Sequence, residues 1–155
     1  MKKVVIILVL MSLVIFVGNA TAERMYVLCR PHDYVNVRSL PSTKGASVGF
    51  LDCGDWVETD GYTKKDNKGR TWIQVYGFEG EAWIIAMYLQ DSPVVIEKCT
   101  GFVASNSRIA LRRSPNGKRI KWLKHGTEVT ILAMSEEWAL TTRGYVRREY
   151  LDVYQ

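Results

Sequence analysis

The residues after position 22 contain one unit written twice. Asn36-Val37-Arg38-Ser39-Leu40-Pro41 returns as Ala110-Leu111-Arg112-Arg113-Ser114-Pro115 at an offset of 74. Leu51-Asp52-Cys53-Gly54-Asp55-Trp56-Val57 returns as Leu123-Lys124-His125-Gly126-Thr127-Glu128-Val129 at 72. Trp72 matches Trp138 at 66, and Trp83-Ile84 and Tyr88-Leu89 match Tyr145-Val146 and Tyr150-Leu151 at 62. The offset shrinks in steps while the order of landmarks holds, as expected of a second copy with shorter loops. The copies are expected at 23–92 and 93–155, meeting near Asp91-Ser92-Pro93.

Each copy reads as short strands between turn signals. Val35 and Val37 alternate with Tyr34, Asn36 and Arg38, and Ile109 and Leu111 alternate with Arg108, Ala110 and Arg112. A period of two marks a half-buried strand. Val57 and Thr59, and in the second copy Val129 and Ile131, carry the same pattern. Asn116-Gly117 and the run Asp66-Asn67-Lys68-Gly69 are turn tips, built from residues that tolerate positive φ. No window supports a long amphipathic helix. Many short strands at regular spacing predict an all-β chain of two small barrels or sandwiches.

The first 22 residues are expected to lie outside that fold. Lys2 and Lys3 precede a 14-residue apolar run at 4–17, broken only by Ser12, and Ala20-Thr21-Ala22 offers a small-x-small cleavage site. That is the pattern of an export signal, shorter than the roughly 20 residues that span a bilayer; an uncleaved anchor is the other reading. Export opens the cysteines to oxidation. Cys29 and Cys53 lie in one copy with 23 residues between them, and a bridge closing that loop would contribute about 3 kcal/mol in the chain-entropy account. Cys99 would then be free, buried or used between chains. The alternative for all three is that they are small apolar core residues.

The ordered set Asn36 to Pro41, Leu51 to Val57, Trp72 to Val75, Gly80 to Trp83 and Tyr88-Leu89 resembles the bacterial SH3-like (SH3b) domain. The second copy departs from it at Ala110, Arg113, 125–127 and Tyr145 but keeps the order and the apolar positions. Together the two copies would cover 26–153. The resemblance implies two tandem SH3-like barrels that act as noncatalytic modules and target peptidoglycan or other envelope components. It brings no cofactor with it. With the leader and two copies accounting for the chain, no room is expected for a catalytic domain.

The residues argue separately against catalysis. A thiol nucleophile needs a base and an orienting group, and a strand would set Cys29 and His32 on opposite faces. Cys29, His32 and Cys53 lack the paired spacing of a zinc site. Phosphate loops and nucleophile elbows have no match. No catalytic and no metal-binding residues are expected.

Binding therefore rests on outward-facing side chains. Trp72, Trp83, Trp138 and Tyr145 are expected in the core. Trp56 stands opposite Val57, and its counterpart is Glu128, so it is expected to face solvent as a contact residue. Phe50 and Trp122 are expected to be partly covered by a neighbouring loop. Tyr34, Asn36 and Arg38 share a strand face and, with Tyr88, would line a shallow groove. Charge separates the copies, −2 over 23–92 and +5 over 93–155, with Arg112, Arg113 and Arg119 in a basic cluster. That cluster would attract an anionic envelope polymer or the acidic copy of a neighbouring chain, while export argues against nucleic acid. The expected partner is a cell-wall glycan, peptide or anionic polymer, the alternative being docking to, or inhibition of, another exported protein.

Overall fold

The computed structural model describes residues 22–154, so the expected leader lies, apart from Ala22, outside the described residues. The chain is all-β. The first copy runs β1 (Glu23–Val27), β2 (Tyr34–Arg38), β3 (Ser47–Asp52), β4 (Trp56–Thr59), β5 (Thr63–Lys65), β6 (Thr71–Val75), β7 (Ala82–Ile85) and β8 (Leu89–Gln90). The second runs β9 (Cys99–Val103), β10 (Ile109–Arg112), β11 (Arg119–Leu123), β12 (Glu128–Met134), β13 (Trp138–Thr141), β14 (Gly144–Arg147) and β15 (Leu151–Tyr154). A single 3₁₀ turn, at Ala86–Tyr88 and again at Arg148–Tyr150, precedes the last strand of each copy. Among the described residues no helix is long and apolar enough to cross a membrane.

Strand order repeats between the copies. The second forms one sheet, β11-β10-β14-β13-β12-β9-β15, and the first forms two, β3-β2-β7-β6-β5 and β4-β1-β8. β12 pairs with both β13 and β9, and in the first copy that work is divided, β5 pairing with β6 and β4 with β1. The division has a local cause. Where the second copy has Leu132-Ala133 the first has Asp60-Gly61; Gly61 sits at φ +80, its N–H donates to Thr59 Oγ1 at 3.0 Å, and Asp60 Oδ1 accepts the Tyr62 N–H at 2.9 Å. These are turn bonds that compete with a sheet ladder. The expected closure into barrels is not made by strand pairing: β11 and β15 end their sheet without meeting, as do β3 and β5, and β4 and β8. The two-residue β8 is too short to supply a closing ladder.

Alternation builds the cores. Val35 and Val37 point inward on β2, as Ile109 and Leu111 do on β10. Trp72, Trp83 and Trp138 are each 1% exposed, and Tyr145 is buried with them. β13 is buried on both faces. Its Ala139 packs into the second copy's own core with Ile109, Leu111 and Val146, while Trp138 and Leu140, with Tyr145 of β14, join the first copy's core beside Val27, Leu28 and Ile84. The copies therefore share apolar burial. Polar bonds pin the same join: the Ser135 hydroxyl donates to Gln90 Oε1 at 3.3 Å, and Ser92 Oγ accepts the Glu136 N–H at 3.1 Å. Gln90, Ser92 and Ser135 are buried, each with its partner, as buried polar groups require.

The β5–β6 hairpin turns on one carboxylate. Asp66 accepts the Lys68 N–H (2.9 Å), the Arg70 N–H (3.0 Å), the Arg70 Nε–H (2.7 Å) and the Trp72 Nε1–H (3.0 Å). Covering the carboxyl would by itself raise its pKa, but the bonds from Trp72, Arg70 and Lys68 outweigh that and hold it well below the usual carboxylate range. A folded pKa below the unfolded one stabilises the fold at pH above the unfolded value, near 3.9, and that stabilisation drains as pH falls through the depressed value. Asp66→Asn is expected to lower the melting temperature by several degrees at pH 7. The gap to the parent should narrow as the pH falls from 5 towards 2, read by thermal melts across that range.

Candidate functional site

Where β13 and β14 lean on the first copy they leave a cleft of about 850 Å³. The first copy contributes Tyr34, Asn36 and Arg38 from the outer face of β2, with Arg30 before that strand and Tyr88 from the 3₁₀ turn. The second contributes Arg113, Ile120, Arg143 and Tyr145. Buried Trp72 and Leu140 form part of its wall.

The lining is cationic. Arg30, Arg38, Arg113 and Arg143 face it, with Asp33 as the one acidic side chain. Arg30 spans the copies, its guanidinium donating to the Thr142 carbonyl at 3.4 Å. Arg38 donates to the Gly45 carbonyl at 2.8 Å and so clamps the loop after β2 while keeping other guanidinium donors for a ligand. That loop closes tightly: a Cβ at Gly45 would stand 2.8 Å from the Leu40 backbone nitrogen. The Tyr145 hydroxyl donates to the Leu28 carbonyl at 3.4 Å. Burial pushes the Tyr145 hydroxyl pKa up, and burial, followed by Cys29 and Asp33, does the same to Tyr88, so both stay protonated donors around neutral pH.

Cys29 also lines the cleft. The expected Cys29–Cys53 bridge is not formed, and the two meet as thiols. Cys53 Sγ is engaged with the Cys29 backbone carbonyl at 2.8 Å, and Cys29 Sγ reaches the Asp33 carbonyl at 3.5 Å, so each sulfur is turned to a main-chain oxygen. The neighbouring Cys53, then burial, pushes the Cys29 thiol up, while the same pairing lowers the Cys53 thiol to about 7. Among the described residues no three His, Cys, Asp or Glu side chains gather as a metal site.

Of the residues read from the sequence, the structure brings Tyr34, Asn36, Arg38, Tyr88 and Arg113 to this cleft and leaves three outside it. Trp56 is exposed on β4 under the Arg24 guanidinium (4.0 Å), close to Tyr76 and Phe78. Arg112 clamps its own loop through the Gly117 carbonyl at 2.8 Å. Arg119 stacks over Trp122 at 4.4 Å. Phe50 and Trp122 are 64% and 48% exposed rather than loop-covered: they lie on β3 and β11, the outermost strands of their sheets, with no strand beyond to cover them. Sequence reasoning missed Arg30, Ile120 and Tyr145 as cleft residues. Arg143 stood out only as a further basic residue of the second copy.

No family model matches the chain, and no curated protein matches it. Solved structures similar to it at low identity include two NlpC proteins. NlpC2 from Trichomonas vaginalis shares 16% identity over 88% of this chain and 49% of its own, with a TM-score of 0.34. NlpC1 from the same organism shares 16% over 87% of this chain and 46% of its own, also at 0.34. The chain spans about half the length of these structures.

Proposed function

We propose that this chain is an exported, noncatalytic binding module made of two SH3-like units, and that its cleft recognises peptidoglycan or another component of the bacterial envelope. The observation that carries the reading is the composite cleft, in which four arginines from two copies line the same space as three tyrosines and the Asn36 amide. Guanidinium forks pair with carboxylates or phosphates. Tyrosine faces offer apolar area to sugar rings or extended peptides while their hydroxyls donate.

The protein beginning at Glu23, mixed with purified bacterial sacculi at low salt, is expected to pellet with them. Its staying in the supernatant would defeat the reading. The exposed rings of Trp56 and Tyr76 favour a second reading, docking to another exported protein, and a soluble protein in sacculus assays that is retained by an exported partner would support it.

A further inference from the structure

The second copy carries a groove of its own, about 420 Å³, in the place equivalent to the first copy's wall of the cleft. Arg112, Trp138 and Tyr150 line it where Arg38, Trp72 and Tyr88 line the cleft. The frame is the same in both, because Arg112 and Arg38 each donate to a loop glycine carbonyl at 2.8 Å. What differs is charge. Arg108 stands in place of Tyr34, and Arg147 in place of Ile85.

Arg147 is already paired with Glu137 and lies 5.0 Å over the Trp138 ring, so Arg108 and Arg112 are the cations left to a ligand. Trp122, which also lines the groove, is half exposed at its side, with the Arg119 guanidinium 4.4 Å from its ring. A cationic groove flanked by an aromatic face suits an oxyanion-bearing chain, the guanidinium meeting the charge and the indole the apolar backbone.

We propose that this groove is a second binding site for an oxyanion-bearing segment, carboxylate or phosphate, of the same envelope polymer, so that one chain holds its ligand at two points. The proposal rests on the envelope-binding reading above. Two engaged sites raise the apparent affinity by about 10²–10⁴ over one, and loss of either should remove much of that gain.

Binding isotherms on sacculi test it, with wild type, Arg108→Glu/Trp122→Ala, and the conservative Arg108→Lys/Trp122→Tyr. Both side chains are exposed, and matching melting curves will show that the variants fold. The first variant is expected to bind at least about tenfold more weakly than wild type, and the conservative pair to stay within about threefold of it. Sacculi stripped of phosphodiester-linked polymers separate the sources: the defect persists there if the groove takes carboxylates and vanishes if it takes phosphates. Wild-type pelleting with no defect in Arg108→Glu/Trp122→Ala on either material overturns the second site alone. No pelleting of wild type overturns the envelope reading, and this proposal with it.

Discussion

Trp138→Ala is expected to unfold both copies together. The side chain is 1% exposed and belongs to the first copy's core although β13 belongs to the second. Truncating a buried Trp to Ala removes about 3–5 kcal/mol, transfer and cavity terms combined, against a total stability of about 5–15 kcal/mol for an ordinary domain. With a urea dependence of about 1–3 kcal/mol per molar, the midpoint should drop by roughly 2 M. The informative part is where the loss appears. Three of the four tryptophans left in the variant, Trp56, Trp72 and Trp83, lie in the first copy, so fluorescence reports chiefly on the copy that was not mutated. Shared burial predicts that fluorescence and far-ultraviolet circular dichroism shift by the same amount in one transition. A fluorescence midpoint that stays at its wild-type value would mean that the copies are independent beads.

The same strand shows how far the sequence could be read. Alternation identified β2, β4, β10 and β12 correctly in type and face, because on each of them buried side chains alternate with half-buried or exposed ones. It could not say that both sides of Trp138-Ala139-Leu140-Thr141 are covered, since the face that looks outward within its copy is covered by a segment more than a hundred residues away, as in the Tyr145 to Leu28 bond. Phe50 and Trp122 fail in the opposite sense. Their ring chemistry suggests cover by a loop, whereas β3 and β11 are outermost in their sheets and the rings meet side-chain neighbours, Phe50 the Tyr34 ring and Trp122 the Arg119 guanidinium. The division of the first copy's sheet at Asp60-Gly61 was not read from the sequence, because the alternation of Val57 and Thr59 runs straight into it and the turn bonds of Gly61 and Tyr62 show only in the fold. Five of the eight proposed ligand residues reached one cleft because four of them share a copy whose internal spacing the repeat defines. Arg30 escaped notice because it belongs to no repeated motif, Arg143 stood out only as one basic residue among several, and their shared cleft exists only once the copies dock.

That docking makes Arg113 and Arg143 the sharpest probe of the cleft. Both are exposed, and the hydrogen bonds recorded for them use backbone atoms, Arg113 N–H to the Lys118 carbonyl and Arg143 N–H to Thr141 Oγ1, which alanine preserves. Arg113→Ala/Arg143→Ala should therefore leave the melting temperature within about 2 °C of wild type, as surface changes of about 0.5 kcal/mol do. Binding should respond far more. A hydrogen bond to a charged group contributes about 1.5–3 kcal/mol, and each 1.4 kcal/mol is tenfold in affinity. Allowing for non-additivity between neighbouring cations, the loss on sacculi should be on the order of 30-fold at low salt. Electrostatic origin sets a second signature. The Debye length shrinks from about 10 Å at 0.1 M salt to about 3 Å at 1 M, so the gap between variant and wild type should close as salt rises, mainly through weakening of the wild type. Trp56→Ala serves as the control, since its ring lies under Arg24 outside the cleft and its loss should change wall binding less than about twofold. If the arginine variant bound as wild type at low salt while Trp56→Ala abolished binding, the ligand would sit on β4 and the cleft would be only the seam between two packed copies.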